Sequence, residues 1–86
     1  MITPTNAVTL LTRAGCGLCD VAHGQLVSIC AEFGATLDSV DVDAAAATEP
    51  GLRAEYGDRL PVVLLNGREH SYWEVDEARL RADLAR

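Results

Sequence analysis

The chain has 86 residues, 49% of them apolar but only 5% aromatic, and a formal net charge of −6. Its length allows one domain with a small, mainly aliphatic core, because a chain of this size buries only about 60–65% of its unfolded surface. The acidic balance excludes a nucleic-acid partner, which needs clustered positive charge, and no segment approaches the ~18 apolar residues of a membrane span.

Residues 1–6 carry neither the basic region nor the long apolar run of a signal peptide, and Pro4 breaks any strand there. The expectation is a cytoplasmic, monomeric protein. Stable structural disulfides are rare in that compartment, so a close cysteine pair points to catalysis or metal binding.

Residues 7–12 form a short apolar run that reads as a strand buried on both faces. Residues 13–17 are loop and helix start. From Leu18 to Phe33 the apolar residues Leu18, Ala22, Leu26, Ile29, Cys30 and Phe33 recur at three- and four-residue steps, one stripe of a helix that Gly34 ends. Gly24, inside that pattern, costs about 1 kcal/mol relative to alanine. Residues 35–43 hold Leu37, Val40 and Val42 among acidic residues and read as a second, less buried strand. Residues 44–48 are a small-residue connection. Thr48 caps a second helix with Pro50 in its first turn and Gly57 at its end.

Pro61 precedes a third strand, Val62-Val63-Leu64-Leu65. Asn66-Gly67 is a hairpin signal, and residues 68–72 return as a half-exposed, alternating strand. Asp76 caps a last helix with Ala78, Leu80, Ala82 and Leu84 toward its buried side. The order β-α-β-α-β-β-α implies an α/β fold: one four-stranded mixed sheet between layers of helix.

The chemistry concentrates in Thr12-Arg13-Ala14-Gly15-Cys16-Gly17-Leu18-Cys19, at the first strand-to-helix junction. Cysteines two residues apart in this context read as a redox motif. Cys16 falls at the helix N-terminus, where unpaired N–H groups and the macrodipole stabilise a thiolate. Its pKa is expected to fall from roughly 8.5 toward about 3.5–7.5. Cys19, almost one turn on, is in reach of the Cys16 sulfur. Cys16 is thus the nucleophile and Cys19 the resolving thiol.

A zinc site drawing on Cys16, Cys19, His23 and Cys30 is the competing reading. On one helix His23 and Cys30 lie about 10 Å apart along the axis, whereas zinc ligands converge within ~2.0–2.3 Å of the ion. A redox-inert relic is the third alternative.

Three pieces of sequence together resemble the glutaredoxin branch of the thioredoxin superfamily, over roughly residues 8–84. They are the Thr12-to-Cys19 segment; Asp41-Val42-Asp43 followed by Leu52, Tyr56-Gly57 and Leu60-Pro61-Val62-Val63; and Asn66-Gly67 with the later Val75-Asp76. The resemblance is greatest to small bacterial glutaredoxin-like proteins. It implies a thioredoxin-like fold and a cis Leu60–Pro61 bond beside the sulfurs. It further implies that Leu60 offers its backbone to an extended thiol substrate, that Asp76 belongs to the substrate site, and that Arg13 stands near the nucleophile to hold a thiolate or carboxylate.

Two departures stand out. The motif is Cys-Gly-Leu-Cys rather than the family's common Cys-Pro-Tyr-Cys, and Trp73-Glu74 replaces the glycine pair of glutathione-using members. The second would crowd and repel glutathione, which makes a thioredoxin-reductase-like donor or another low-molecular-weight thiol the expected reductant.

Each residue also has a plainer role to weigh. Cys30 reads as a buried core thiol, and His23 and His70 as surface residues without a partner. Tyr72 and Trp73 cover the hairpin, or Trp73 forms a platform for substrate. Arg13 belongs either to the site or to a solvated loop. The leading expectation is a thiol–disulfide oxidoreductase with no resident cofactor, acting on protein or small-thiol disulfides. The alternatives are a dimeric iron–sulfur cluster carrier and a redox-silent adaptor.

Overall fold

A computed structural model describes residues 5–86. Of the lead-in expected at residues 1–6, residues 1–4, and with them the break at Pro4, lie outside the described residues. The elements are β1 (Ala7–Thr12), α1 (Gly17–Phe33), β2 (Thr36–Asp41), α2 (Val42–Ala45), α3 (Pro50–Tyr56), β3 (Val62–Leu65), β4 (Arg68–Tyr72) and α4 (Glu77–Leu84). The sheet runs β2-β1-β3-β4. β1 pairs parallel with β2 and antiparallel with β3, and β3 pairs antiparallel with β4.

Strand alternation divides the core between the two faces of this sheet. On one face Val8, Leu10 and Val63 pack with Ala22, Leu26, Ile29 and Cys30 of α1 and with Leu80 and Leu84 of α4. On the other, Leu11, Val62 and Leu64 meet Val42, with Leu52 and Tyr56 of α3 packed against them. Leu10 and Leu11 are adjacent in sequence and fully buried on opposite faces. That explains why consecutive residues of β1 are large and apolar, whereas the edge strand β2 is mostly polar.

Turn chemistry fixes the hairpin. Asn66 and Gly67 have φ of 52° and 84°, the two left-handed residues of a turn whose twist matches its flanking strands. Asn66 also ties the hairpin to the start of β1, since its Oδ1 accepts from the Ala7 N–H at 2.8 Å. Gly34, at φ 67°, closes α1 in a left-handed cap.

Several expected details differ. The second strand ends at Asp41 rather than Asp43, because Asp41 caps a short helix there: its Oδ1 accepts from the N–H groups of Asp43 and Ala44 at 2.9 and 3.1 Å. Thr48 does not cap α3. It closes the turn after α2 by bonding to the Ala45 carbonyl, and Glu49 takes the N-cap position ahead of Pro50. In α4 Leu80 and Leu84 are buried, whereas Ala78 and Ala82 face solvent.

Leu18 is 62% exposed. At about 100° per residue it lies at the margin of the stripe through Ala22, Leu26 and Ile29, and Cys19 takes the inward position. His70 is buried, not a surface residue, and its Nε2 lies 2.8 Å from Asp83 Oδ2. The cause is a bulge. Val63 pairs with Ser71 but Leu64 pairs with Glu69, so His70 is the extra residue and the alternation is broken at that point.

Candidate functional site

The β1-to-α1 junction builds the site from its backbone. Cys16 is the N-cap of α1, extended at φ −92° and ψ 104°, and its Sγ accepts the Cys19 N–H at 3.1 Å. The turn before it is closed by the Cys16 N–H on the Arg13 carbonyl at 3.3 Å. The Cα atoms of Cys16 and Cys19 are 5.2 Å apart and their sulfurs are joined. Access is unequal: Cys16 is half-buried, while Cys19 is only 3% exposed. A sulfur at a helix N-terminus that receives a backbone N–H carries negative charge more readily than a free thiol. Asp20, in the first turn, faces the same dipole end.

The third cysteine behaves differently. Cys30 is buried in the α1 face of the core and has no disulfide partner. Burial pushes its thiol pKa up, the direction opposite to that of a reactive cysteine.

The sheet brings a second segment to the same end. β1 leads into the cysteine loop and β3 leads out of Pro61, and the pairing of Leu11 with Val62 sets those two strand ends side by side. The Leu60–Pro61 bond is cis. Leu60 takes no part in the strand ladder or in the loop bonds among the described residues.

Arg59 anchors this segment. Its guanidinium forks onto Glu69 of β4 at 3.1 and 2.9 Å, donates to the Glu55 carbonyl at 2.7 Å and covers the Tyr56 ring at 5.1 Å. The fork raises the Arg59 pKa and lowers that of Glu69. Nothing in the sequence motif singles out Arg59; its role appears only when α3 and β4 are adjacent.

Across from Leu60 stands Trp73. Its N–H is shared between the carbonyls of Pro61 at 2.8 Å and Arg59 at 3.3 Å. Its φ is 66°, a left-handed conformation that costs a bulky residue roughly 1–2 kcal/mol. The backbone thus keeps the shape glycine adopts freely, although tryptophan fills the position.

Arg13 does not turn toward the sulfurs. Its Nε and Nη2 reach Asp43 Oδ2 and Oδ1 at 2.7 and 3.1 Å, and its Nη1 donates to the Gly57 carbonyl at 3.3 Å. In this arrangement Arg13 braces the cysteine loop against α2 and the end of α3. The hydrogen-bonded Arg13 guanidinium lowers the Asp43 pKa. Asp43 was within view in the sequence only as an acidic strand end.

Asp76 caps α4: its Oδ1 accepts the Arg79 N–H at 3.2 Å, and its Oδ2 pairs with Arg79 Nε at 3.1 Å. Arg79 lowers the Asp76 pKa and also donates to the His70 carbonyl. Asp76 lines an open cleft of about 970 Å³ with Gln25, His70, Tyr72, Glu74 and Arg79. The structure therefore brings together Cys16 and Cys19, sets Leu60 and Pro61 at the same end of the sheet, and gives Arg13 and Asp76 partners of their own. Among the described residues no three His, Cys, Asp or Glu side chains converge as metal ligands, and no helix is long and apolar enough to cross a membrane.

Comparison with known proteins agrees with this architecture. The family described as Glutaredoxin-like domain (DUF836) matches residues 7–85. An uncharacterized protein of Mycobacterium tuberculosis (strain ATCC 25618 / H37Rv) is 65% identical over 80 residues, covering 92% of this chain and 82% of that protein. A counterpart in Mycobacterium bovis has the same identity and coverage. Among solved structures, a structural-genomics target protein from X. campestris is 38% identical, with a TM-score of 0.60 over 91% of this chain and 95% of that one. Chloroplastic thioredoxin z shares the fold at 16% identity, with a TM-score of 0.74 over 94% of this chain and 76% of its own. With the family match spanning both the cysteine turn and the cis-proline, the chain belongs to the glutaredoxin-like family of the thioredoxin superfamily.

Proposed function

We propose that the protein is a thiol–disulfide oxidoreductase that reduces protein or low-molecular-weight disulfides through Cys16 and Cys19. The observation that carries this reading is the cysteine pair itself, joined across a helix N-terminus with the outer sulfur accepting a backbone N–H.

The Cys16 thiolate attacks one sulfur of the substrate disulfide. A Cys16–substrate bond forms, the substrate S–S bond breaks, and the second sulfur leaves as a thiolate that takes a proton from water. Cys19 loses its proton and attacks Cys16 Sγ. The Cys16–Cys19 bond forms and the remaining substrate thiolate leaves. Two electrons pass to the substrate, and a dithiol donor or two small thiols return them. The half-buried Cys16 suits the first attack, and the enclosed Cys19 suits an attack that only an intramolecular sulfur can receive.

Leu60 would pair with the substrate backbone, Pro61 would hold that segment beside the sulfurs, and Asp76 would border the site. Arg13 would act by bracing the loop. Trp73 and Glu74 stand against glutathione as the small thiol, since a bulky ring and a carboxylate replace the backbone approach that glycines permit. The free Cys30 suits a reducing compartment such as the cytoplasm.

A redox titration tests the reading. The protein is equilibrated across dithiol ratios, alkylated differentially and peptide-mapped, with Cys30 as internal control. The expected result is a reversible Cys16–Cys19 disulfide with a midpoint between about −200 and −270 mV. Cys16→Ser should abolish turnover of a disulfide substrate, and Cys19→Ser should accumulate the mixed disulfide. Native turnover by Cys16→Ser would sink the proposal.

A further inference from the structure

Trp73 is the chain's sole tryptophan, yet it adds little to either core: its side of the hairpin end is open and the residue is 58% exposed. The ring meets the edge of Tyr72, itself 49% exposed, with centroids 5.0 Å apart and planes at 81°. The shared N–H bond to Arg59 and Pro61 fastens this aromatic pair to the cis-proline segment. On the cysteine side, Leu18 and Val21 are 62% and 60% exposed on the first turns of α1. Four of the five large apolar residues exposed among the described residues thus belong to the two segments that meet at the redox end of the sheet.

A strained backbone that holds a large ring in water gains nothing from the folded chain alone, and such outliers gather where a ligand is contacted. Leu60 supplies an unpaired backbone edge beside it, which suits an extended peptide. We propose that Trp73 is a specificity-determining residue that selects extended peptide disulfides with an apolar side chain next to the cysteine. This rests on the oxidoreductase reading and names the substrate class for the same site.

The test uses two synthetic peptides, one with leucine and one with serine on both sides of a single cysteine. Each is linked by a disulfide to 5-thio-2-nitrobenzoate. The Cys16 thiolate bonds to the peptide sulfur and releases the coloured aryl thiolate, the better leaving group; Cys19→Ser then holds the mixed disulfide. The expected leucine-to-serine rate ratio is about tenfold with Trp73, falls below about threefold in Trp73→Gly, and returns in Trp73→Phe. In the trapped leucine complex the tryptophan emission should also move to shorter wavelength as the ring is covered.

A ratio unchanged in Trp73→Gly, or an emission maximum that does not move, overturns the proposal and leaves the oxidoreductase reading standing. Failure of the reduced, unmodified protein to release the aryl thiolate from either peptide overturns both.

Discussion

Arg13 and Asp43 show how one contact at the site carries a pH dependence. The folded Asp43 carboxyl has its pKa lowered by the hydrogen-bonded guanidinium, and Glu69 and Asp76 are lowered in the same way by Arg59 and Arg79. A depressed carboxylate contributes stability that is present above its ordinary range and lost as pH falls through the folded value, so the loss belongs below about pH 4. Thermal melts from pH 7 to pH 2 should fall in that window, and Arg13→Gln should make the acid slope shallower by removing the Asp43 share. At Trp73 the backbone makes a second prediction. Trp73→Gly and Trp73→Val both delete the ring, but only glycine relaxes at φ 66°. The glycine variant should be more stable by roughly 1 kcal/mol or more in urea unfolding, and equal stabilities would remove the strain argument. The Cys16–Cys19 pair was legible from its spacing, and the cis bond at Pro61 from the resemblance, because both depend on local geometry. The partner of Arg13 was not, since Asp43 lies thirty residues away and two acidic residues flanking a valine look alike on paper.

Among the elements, α1 was the most readable: its Gly34 stop and its stripe from Ala22 through Leu26, Ile29 and Cys30 stand where the periodicity puts them, with Cys19 in place of Leu18 at the start. Gly24 lies on its open side, where an added Cβ meets nothing within 4 Å. Gly24→Ala is therefore expected to stabilise the protein by about 0.5–1 kcal/mol, measured by chemical denaturation; a loss of stability would mean that the added methyl meets a neighbour on that side. Other elements were hidden for identifiable reasons. α2 is a single turn set by the Asp41 cap, too short to show a period. His70 was misread because a bulge shifts the alternation by one residue, and nothing local announces it. Its inward turn costs polar atoms their water. His70 Nδ1 and Ser71 Oγ are buried with no hydrogen-bond partner, while the Asp83 carboxylate compensates on the other ring nitrogen.

For the molecule as a whole, the three cysteines divide between a joined pair at the end of the sheet, with Cys16 half-exposed, and a free thiol buried in the core. With the pair reduced, iodoacetamide should label Cys16 quickly. Cys30 should react only through opening of the α1 core, slower by a factor of about 10³ or more. Comparable rates would mean that the core opens locally around α1. The layered architecture was legible because apolar strands and an amphipathic helix permit few arrangements, and only the neighbours in space had to be supplied.

β1 lies inside the sheet, yet its two partners are made at very different times. β2 follows after one helix, whereas β3 pairs Leu11 with Val62, fifty-one positions later. The cysteine turn and the strand that lies beside it thus come from opposite halves of the chain. Until β3 docks, Cys30 lacks the Val63 side of the core that encloses it. The sheet order thus makes the docking of β3 the step that encloses Cys30 and sets Pro61 beside the cysteine turn.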